Sequence, residues 1–270
     1  MSWTLAFTGK GGVGKTTLAA IAVKWLIERR WAPVLAVDAD PNTCLGGLLG
    51  LHVRSGVGAV REEVKQIVQG EMPSAGGSGK HRLLELKIHQ SLIEAESFDL
   101  LAMGRPEGPG CYCYANHVLG AAVRRLVDDY RSVVMDNEAG LENLSRRIIK
   151  HVDKLVFVAD PSARGLATAR RLYDLAVEME VDAGSMGLVV NRARPELADQ
   201  PGGALQRAAQ LFEGTPVEIL GGVPEDADLR ARDESAEPVF TLPESNGVYK
   251  AASAVLKRLT ADRTSRREEA

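Results

Sequence analysis

Nine consecutive residues near the amino terminus, Gly9-Lys10-Gly11-Gly12-Val13-Gly14-Lys15-Thr16-Thr17, constrain the fold of this chain more than any other stretch. They fit G-x-x-x-x-G-K-[ST], a loop that joins a buried strand to a helix and cradles a polyphosphate. The flanks fit that context. Trp3 to Thr8 reads as a short buried strand, and Leu18 to Arg30 as a helix with Leu18, Ile21, Ala22, Trp25 and Leu26 on one face. In such a loop Gly11, Gly12 and Gly14 let the backbone bend, so that N–H groups from Gly11 through Thr17, including that of Val13, point inward at phosphate oxygens. The helix N-terminus adds a positive dipole end, Lys15 a point charge, and the Thr16 hydroxyl a ligand for Mg²⁺.

Strand-like apolar runs then alternate with helical patterns. The runs begin at Pro33, Phe98, Ser132, Lys154, Met186 and Pro216, and helices are expected at about 57–69, 115–129, 142–150, 164–179, 203–212 and 246–259. Near-continuous apolar strands separated by helices mean an α/β fold, a mostly parallel central sheet covered by helices on both faces. A single P-loop domain over 1–260 with a disordered tail at 261–270 is the expected organisation, and Gly70 to Lys80 reads as a surface loop. The formal net charge of −3 gives no support to nucleic-acid or membrane attraction. The chain has no apolar run long enough to span a bilayer and no signal peptide at its start, so the expected location is the cytoplasm. Its three cysteines do not suggest a disulfide framework.

A bound triphosphate needs a metal, and in open parallel sheets the carboxylates that hold it come from the carboxyl ends of strands beside the loop. Two strands end in aspartate. The run Ser132 to Met135 leads into Asp136, the Walker-B position, expected to hold Mg²⁺ through a water. The turn Asn137 to Glu142 follows it, where the Gly140 N–H is placed to sense a γ-phosphate. The other strand ends Asp38-Ala39-Asp40-Pro41-Asn42. Asp38 is expected to support the metal and the loop; Asp40, just before Pro41, resembles the residue that orients or activates the attacking water in ATPases whose phosphate loop also opens on a lysine. A later strand ends Val189-Val190-Asn191-Arg192 with none of the N-K-x-D pattern of a guanine reader. Asn191 is expected to read adenine, with Pro224 and Glu225 closing over the base. ATP is therefore the expected nucleotide.

A generic phosphate loop does not need a second cation at Lys10. That lysine sits too early to wrap its own nucleotide and can instead reach one held by a second copy of the chain, as an arginine finger does. This lysine-first loop resembles the deviant loop of the SIMIBI-class ATPases, which include MinD, ParA and the nitrogenase iron protein. The resemblance implies an ATPase in which Lys10, Lys15 and Asp40 carry the chemistry.

Cys111 and Cys113 flank Tyr112 in an irregular Gly- and Pro-rich segment. In an extended chain both sulfurs face one side, and a helix beginning nearby favours thiolate. Two buried or merely reactive cysteines would fit the spacing equally well. The surrounding Gly104-Arg105-Pro106-Glu107-Gly108-Pro109-Gly110-Cys111-Tyr112-Cys113 and Asn116 look like the CooC family, ATPases that mature nickel-containing carbon monoxide dehydrogenase. Asp38 to Asn42, Asp136 to Glu142 and Asp160-Pro161-Ser162 extend the likeness over nearly the whole chain. It implies that the cysteine pairs of two subunits bind one Ni²⁺ or Zn²⁺ at a homodimer interface. It also implies a protein partner, apo carbon monoxide dehydrogenase or the related acetyl-CoA synthase. Cys44 is expected to pack in a helix, and His117 to be a surface or packed residue. The alternative functions are an iron–sulfur reductase like the nitrogenase iron protein, disfavoured by the adjacency of the cysteines, and a positioning switch of the MinD or ParA kind.

Overall fold

The structure is a computed structural model that describes residues 2–40, 42–53, 86–104, 123–141, 151–194, 200 and 202–268, with side chains as far as residue 261. Cys111, Cys113, His117, the Gly70–Lys80 stretch and the helices expected at 57–69 and 142–150 lie outside the described residues.

Among the described residues eight strands form one sheet: β1 (Trp3–Gly9), β2 (Val34–Asp38), β3 (Leu92–Glu94), β4 (Phe98–Ala102), β5 (Ser132–Asp136), β6 (Val152–Ala159), β7 (Ala183–Ala193) and β8 (Val217–Pro224). Their spatial order is β3-β4-β2-β5-β1-β6-β7-β8, and every pairing is parallel except that of β3 with β4. The phosphate-loop strand β1 is thus interior, between β5 and β6.

Side-chain alternation divides the core into two layers. Leu155, Phe157 and Ala159 of β6 pack into one cluster, and the intervening Val156 and Val158 into the other. Among the described residues the helices with complete bounds are α1 (Lys15–Glu28), α2 (Leu45–Leu48), α3 (Ala163–Glu178), α4 (Ala204–Leu211), α5 (Ala227–Glu234) and α6 (Gly247–Glu268), and residues 86–90 and 123–128 are also helical. Residues of α1 and α6 fill one layer; α3 and α4 cover the other. Each fully buried aliphatic side chain here contributes about 1.5–3 kcal/mol.

α1 is buried more completely than one apolar face requires. Ala19, Ala20 and Val23 are solvent-inaccessible along with Ile21, Ala22 and Leu26, because α2, α6 and the 3₁₀ turn Val239–Thr241 enclose the helix. The small residues are what let these elements approach. The expected helices at 164–179 and 203–212 appear as α3 and α4, and 123–128 is helical. The last helix runs beyond 259 to Glu268, since neither Gly nor Pro interrupts it after Gly247. Helix caps are supplied locally. Ser162 accepts the Gly165 N–H at 3.0 Å to start α3, and Asp226 accepts the Leu229 N–H at 2.9 Å to start α5.

Among the described residues no helix is long and apolar enough to cross a membrane.

Candidate nucleotide site

The carboxyl ends of β1, β2 and β5 meet at the phosphate loop. Gly14 is the N-cap of α1 with φ 94°, and no side chain caps the helix, so the first-turn N–H groups at Lys15, Thr16 and Thr17 have no side-chain acceptor. A Cβ on Gly9 would lie 2.3 Å from the Val158 carbonyl oxygen, so only glycine lets β1 enter the loop this close to β6. Val13 is buried and anchors the loop in the core, whereas Lys10, Gly11 and Gly12 are open to solvent or to a ligand.

The two lysines differ sharply. Lys15 is 6% exposed, and its ammonium donates to the Lys10 carbonyl at 3.2 Å. Burial pulls its pKa below the ordinary lysine value, against the opposing fields of Asp136, Asp40 and Glu138. Lys10 itself is exposed.

Sheet register places Asp38 directly beside Asp136, and Asp136 beside Phe7 of β1. The Asp38 carboxylate accepts the Leu45 N–H at 2.9 Å and the Asp40 N–H at 3.1 Å, so it fixes the turn that carries Asp40. Burial, chiefly, and the neighbouring Asp136 charge push its pKa up to about 7. The Asp40 carboxylate in turn accepts the Asn42 N–H at 2.8 Å. Burial raises Asp136 to about 6, although the Thr16 hydroxyl and Lys15 favour its ionised form.

These groups fit Mg²⁺. One oxygen of Asp136, Oδ1, is buried with no hydrogen-bond partner among the described residues, while Thr16 bonds the carboxylate. A hard cation held by Thr16 and, through water, by Asp136 would satisfy that orphan acceptor and remove the cost of its buried charge; its remaining ligands would be phosphate oxygens and water. The chemistry such an ion would supply is neutralisation of charge on the β- and γ-phosphates. Among the described residues no group of three His, Cys, Asp or Glu side chains is arranged to hold a metal without such a ligand.

Two residues that the motif does not include brace the turn after β5. The Thr8 hydroxyl donates to the Gly140 carbonyl at 2.7 Å, and the Asn137 amide donates to the Phe7 carbonyl at 2.9 Å. Both tie the turn after β5 to the strand before the loop. The available signal was polarity: Thr8 and Asn137 are 0% and 1% exposed.

A cavity of about 280 Å³ opens beyond Gly14 and Thr17, lined by Asn191, Pro224, Glu225 and the apolar Leu48, Leu229, Val239 and Val248. Its place beside the loop suits a purine base. Asn191 and Pro224, expected to meet the base, both line this cavity, and two details of their placement differ from expectation. One Asn191 side-chain N–H is already donated to the Val13 carbonyl at 2.7 Å, leaving the second N–H and Oδ1 for a base. Gly222 to Pro224 belong to β8, so of the two residues expected to close over the base only Glu225 lies beyond the strand, leading into α5. Cys44 is not packed inside a helix. It is the exposed N-cap of α2, with Sγ 3.8 Å from the Asn42 carbonyl oxygen.

Comparison with known proteins agrees with this geometry. Residues 5–239 match the model of the CobQ/CobB/MinD/ParA nucleotide binding domain. The chain belongs to that family. It is a P-loop ATPase. An uncharacterized ATP-binding protein of Methanocaldococcus jannaschii is 38% identical over 94% of this chain and 97% of its own length. The carbon monoxide dehydrogenase accessory protein CooC of Rhodospirillum rubrum is 27% identical over 88% of this chain and 89% of its own. Among solved structures, the MinD cell division protein of Aquifex aeolicus aligns with a TM-score of 0.65 and 23% identity over 96% of this chain and 97% of that one. A ParA family ATPase from Chlorobium tepidum aligns with a TM-score of 0.67 and 19% identity, covering 94% and 98%.

Proposed function

We propose that this ATPase is a metal chaperone that dimerises on binding ATP and delivers Ni²⁺ to an apo-enzyme, carbon monoxide dehydrogenase or the related acetyl-CoA synthase. The observation that carries the reading is Cys111-Tyr112-Cys113 in a chain whose phosphate loop begins with an exposed Lys10. Both features call for a second copy. One chain offers two thiolates where a stable site takes four, and an isologous two-fold interface brings the same segment from each subunit together. An exposed lysine on the loop is available to a nucleotide across that interface. The similarity to CooC supports the choice of nickel enzyme.

In this reading Lys15, Thr16 and the loop amides hold the phosphates, Asp136 supports Mg²⁺, and Asp40 orients the attacking water. Lys10 of each subunit stabilises charge on the other's γ-phosphate, Gly140 reports the loss of that phosphate, and Asn191, Pro224 and Glu225 frame the adenine. ATP draws the subunits together and assembles the four-thiolate cargo site; hydrolysis loosens it and releases the metal.

The test is equilibrium dialysis of Ni²⁺ and Zn²⁺ against wild type, Cys111→Ala and Cys113→Ala. The expected result is one ion per dimer for wild type and none for either variant, with ATP binding intact. Unchanged stoichiometry in the variants overturns the proposal. Septum site-determining MinD proteins are also relatives, that of Bacillus subtilis at 26% identity, and they favour a positioning switch as the second reading. ATP-dependent co-sedimentation with liposomes, without metal binding, would select it.

A further inference from the structure

A second cavity, of about 540 Å³, lies beside the base cavity at the carboxyl ends of β6, β7 and β8. That edge of an open parallel sheet is where ligands bind, and the volume suits a small molecule. Three guanidinium groups line it, those of Arg192, Arg194 and Arg207, together with the carboxylates of Asp160 and Glu225.

Among the described residues the three guanidinium groups outnumber the two carboxylates. Glu225 is ion-paired with Arg230, and Asp160 accepts the Ser162 N–H at 2.9 Å at the start of α3. Among the described residues Arg192 and Arg194 have no carboxylate partner. Arg207 is held in place by donating to the Gly202 and Pro161 carbonyls at 2.7 and 2.8 Å. The backbone aims one of these groups. Register shifts between Asn191 and Ala193, and Arg192 takes φ 56°, a conformation L side chains rarely adopt. Such irregularities redirect a side chain and persist where the surroundings impose them. The floor is small: Gly202, Gly203 and Ala204 open α4, which has no side-chain cap.

We propose that this cavity binds a small dianion, a dicarboxylate or a phosphate-bearing molecule, gripped by Arg192, Arg194 and Arg207. Arg192 and Glu225 line both cavities, so the dianion and the nucleotide share a wall and alter each other's affinity by the same factor. The site is separate from the phosphate loop and independent of the metal-chaperone reading.

The experiment titrates inorganic phosphate or succinate, at constant ionic strength, into the full chain saturated with Mg²⁺-ADP, and follows heat release. ADP fills the α- and β-phosphate positions of the loop, and dependence on Arg194 and Arg207 separates the arginine-lined cavity from the γ-phosphate position that ADP leaves open. One site per chain is expected for at least one probe; which probe binds identifies the anion class. Arg194→Gln and Arg207→Gln should each weaken that binding about tenfold or more. Arg194→Gln should keep the affinity for Mg²⁺-ADP measured without probe, and Arg194→Lys should recover part of the loss. In wild type the probe should also shift the apparent affinity for ADP severalfold. Absence of binding by both probes overturns the proposal, as does binding that Arg194→Gln leaves unchanged. Neither failure touches the ATPase or cargo readings, which the ADP titration and metal dialysis report separately.

Discussion

Asp38 and Asp136 stand side by side, paired residue for residue across the parallel strands β2 and β5, and both are essentially inaccessible to solvent. Neither meets a cation strong enough to offset its burial, so their pKa values rise to about 7 and about 6. An aspartate in the unfolded chain titrates near 3.9. Between those limits the native state binds more protons than the unfolded one, and these groups stabilise the nucleotide-free protein less as pH rises. Their contribution is complete below about pH 4 and lost as pH passes about 7. Replacing Asp38 with Asn removes a titrating charge while keeping one acceptor for the turn. Relative to wild type, Asp38→Asn should therefore gain on the order of 1 kcal/mol between about pH 5 and about pH 8. Urea unfolding of both proteins across that range, without nucleotide, checks it. A difference that stays flat or runs the other way contradicts the assigned shift.

Gly14 faces a separate constraint from the opposite side of the loop. A Cβ there would stand 2.2 Å from the Asn191 side-chain nitrogen, and the backbone has φ 94°. Gly14→Ala should raise the dissociation constant for ATP more than about tenfold, because relieving the contact breaks the Asn191–Val13 hydrogen bond. Asn191→Ala in the same background removes the clash but not the left-handed strain of about 1–2 kcal/mol. Partial recovery in the double variant is expected. Full recovery would mean that the backbone conformation carries no cost. Fluorescent-nucleotide titration of the wild type, the two single variants and the double variant resolves the terms.

How much of this could be read from the chain depended on range. The loop, its strand and the aspartates at strand ends were legible because each rests on a contiguous pattern: an apolar run followed by a fixed polar residue. Antiparallel β3 was not, since three residues with no turn signature say nothing about direction. α5 was missed because Ala227–Glu234 has no apolar face; its Asp226 cap and the single inward Leu229 position it. The Asn191–Val13 bond spans 178 positions, and the arginine-lined cavity draws on four separate segments. No local pattern encodes contacts of that kind.

Thr8 supplies a test of how the turn after β5 is held. Its hydroxyl is buried and spends its proton on the Gly140 carbonyl. Thr8→Val keeps the shape and removes the bond, costing about 1 kcal/mol of stability. The larger effect should fall on turnover. If the turn carrying Gly140 closes on the γ-phosphate, releasing it should lower kcat severalfold while ADP affinity, set by the loop itself, stays within about twofold. A loss of ADP affinity matching the loss of kcat would place Thr8 in loop integrity instead.

Lys10 and Lys15 allow nucleotide binding and assembly to be tested apart. Lys15 is buried at the start of α1, hydrogen-bonded to the loop and surrounded by Asp136, Asp40 and Glu138. Removing its ammonium leaves those three carboxylates without their nearest cation and the phosphates without theirs. Lys15→Ala should weaken ATP binding about a hundredfold, since a buried charged partner is worth about 3 kcal/mol. Lys10 is exposed, and Lys15 bonds only its carbonyl oxygen, which alanine retains. Lys10→Ala should accordingly bind ATP within about threefold of wild type. If its side chain acts across a subunit interface, however, the variant should stay monomeric with a non-hydrolysable ATP analogue, under conditions where wild type dimerises. Sedimentation velocity of both variants, with and without the analogue, reads the two properties at once. A Lys10→Ala protein that dimerises like wild type assigns that lysine no role between subunits. One that loses nucleotide affinity as deeply as Lys15→Ala places its charge on its own phosphates.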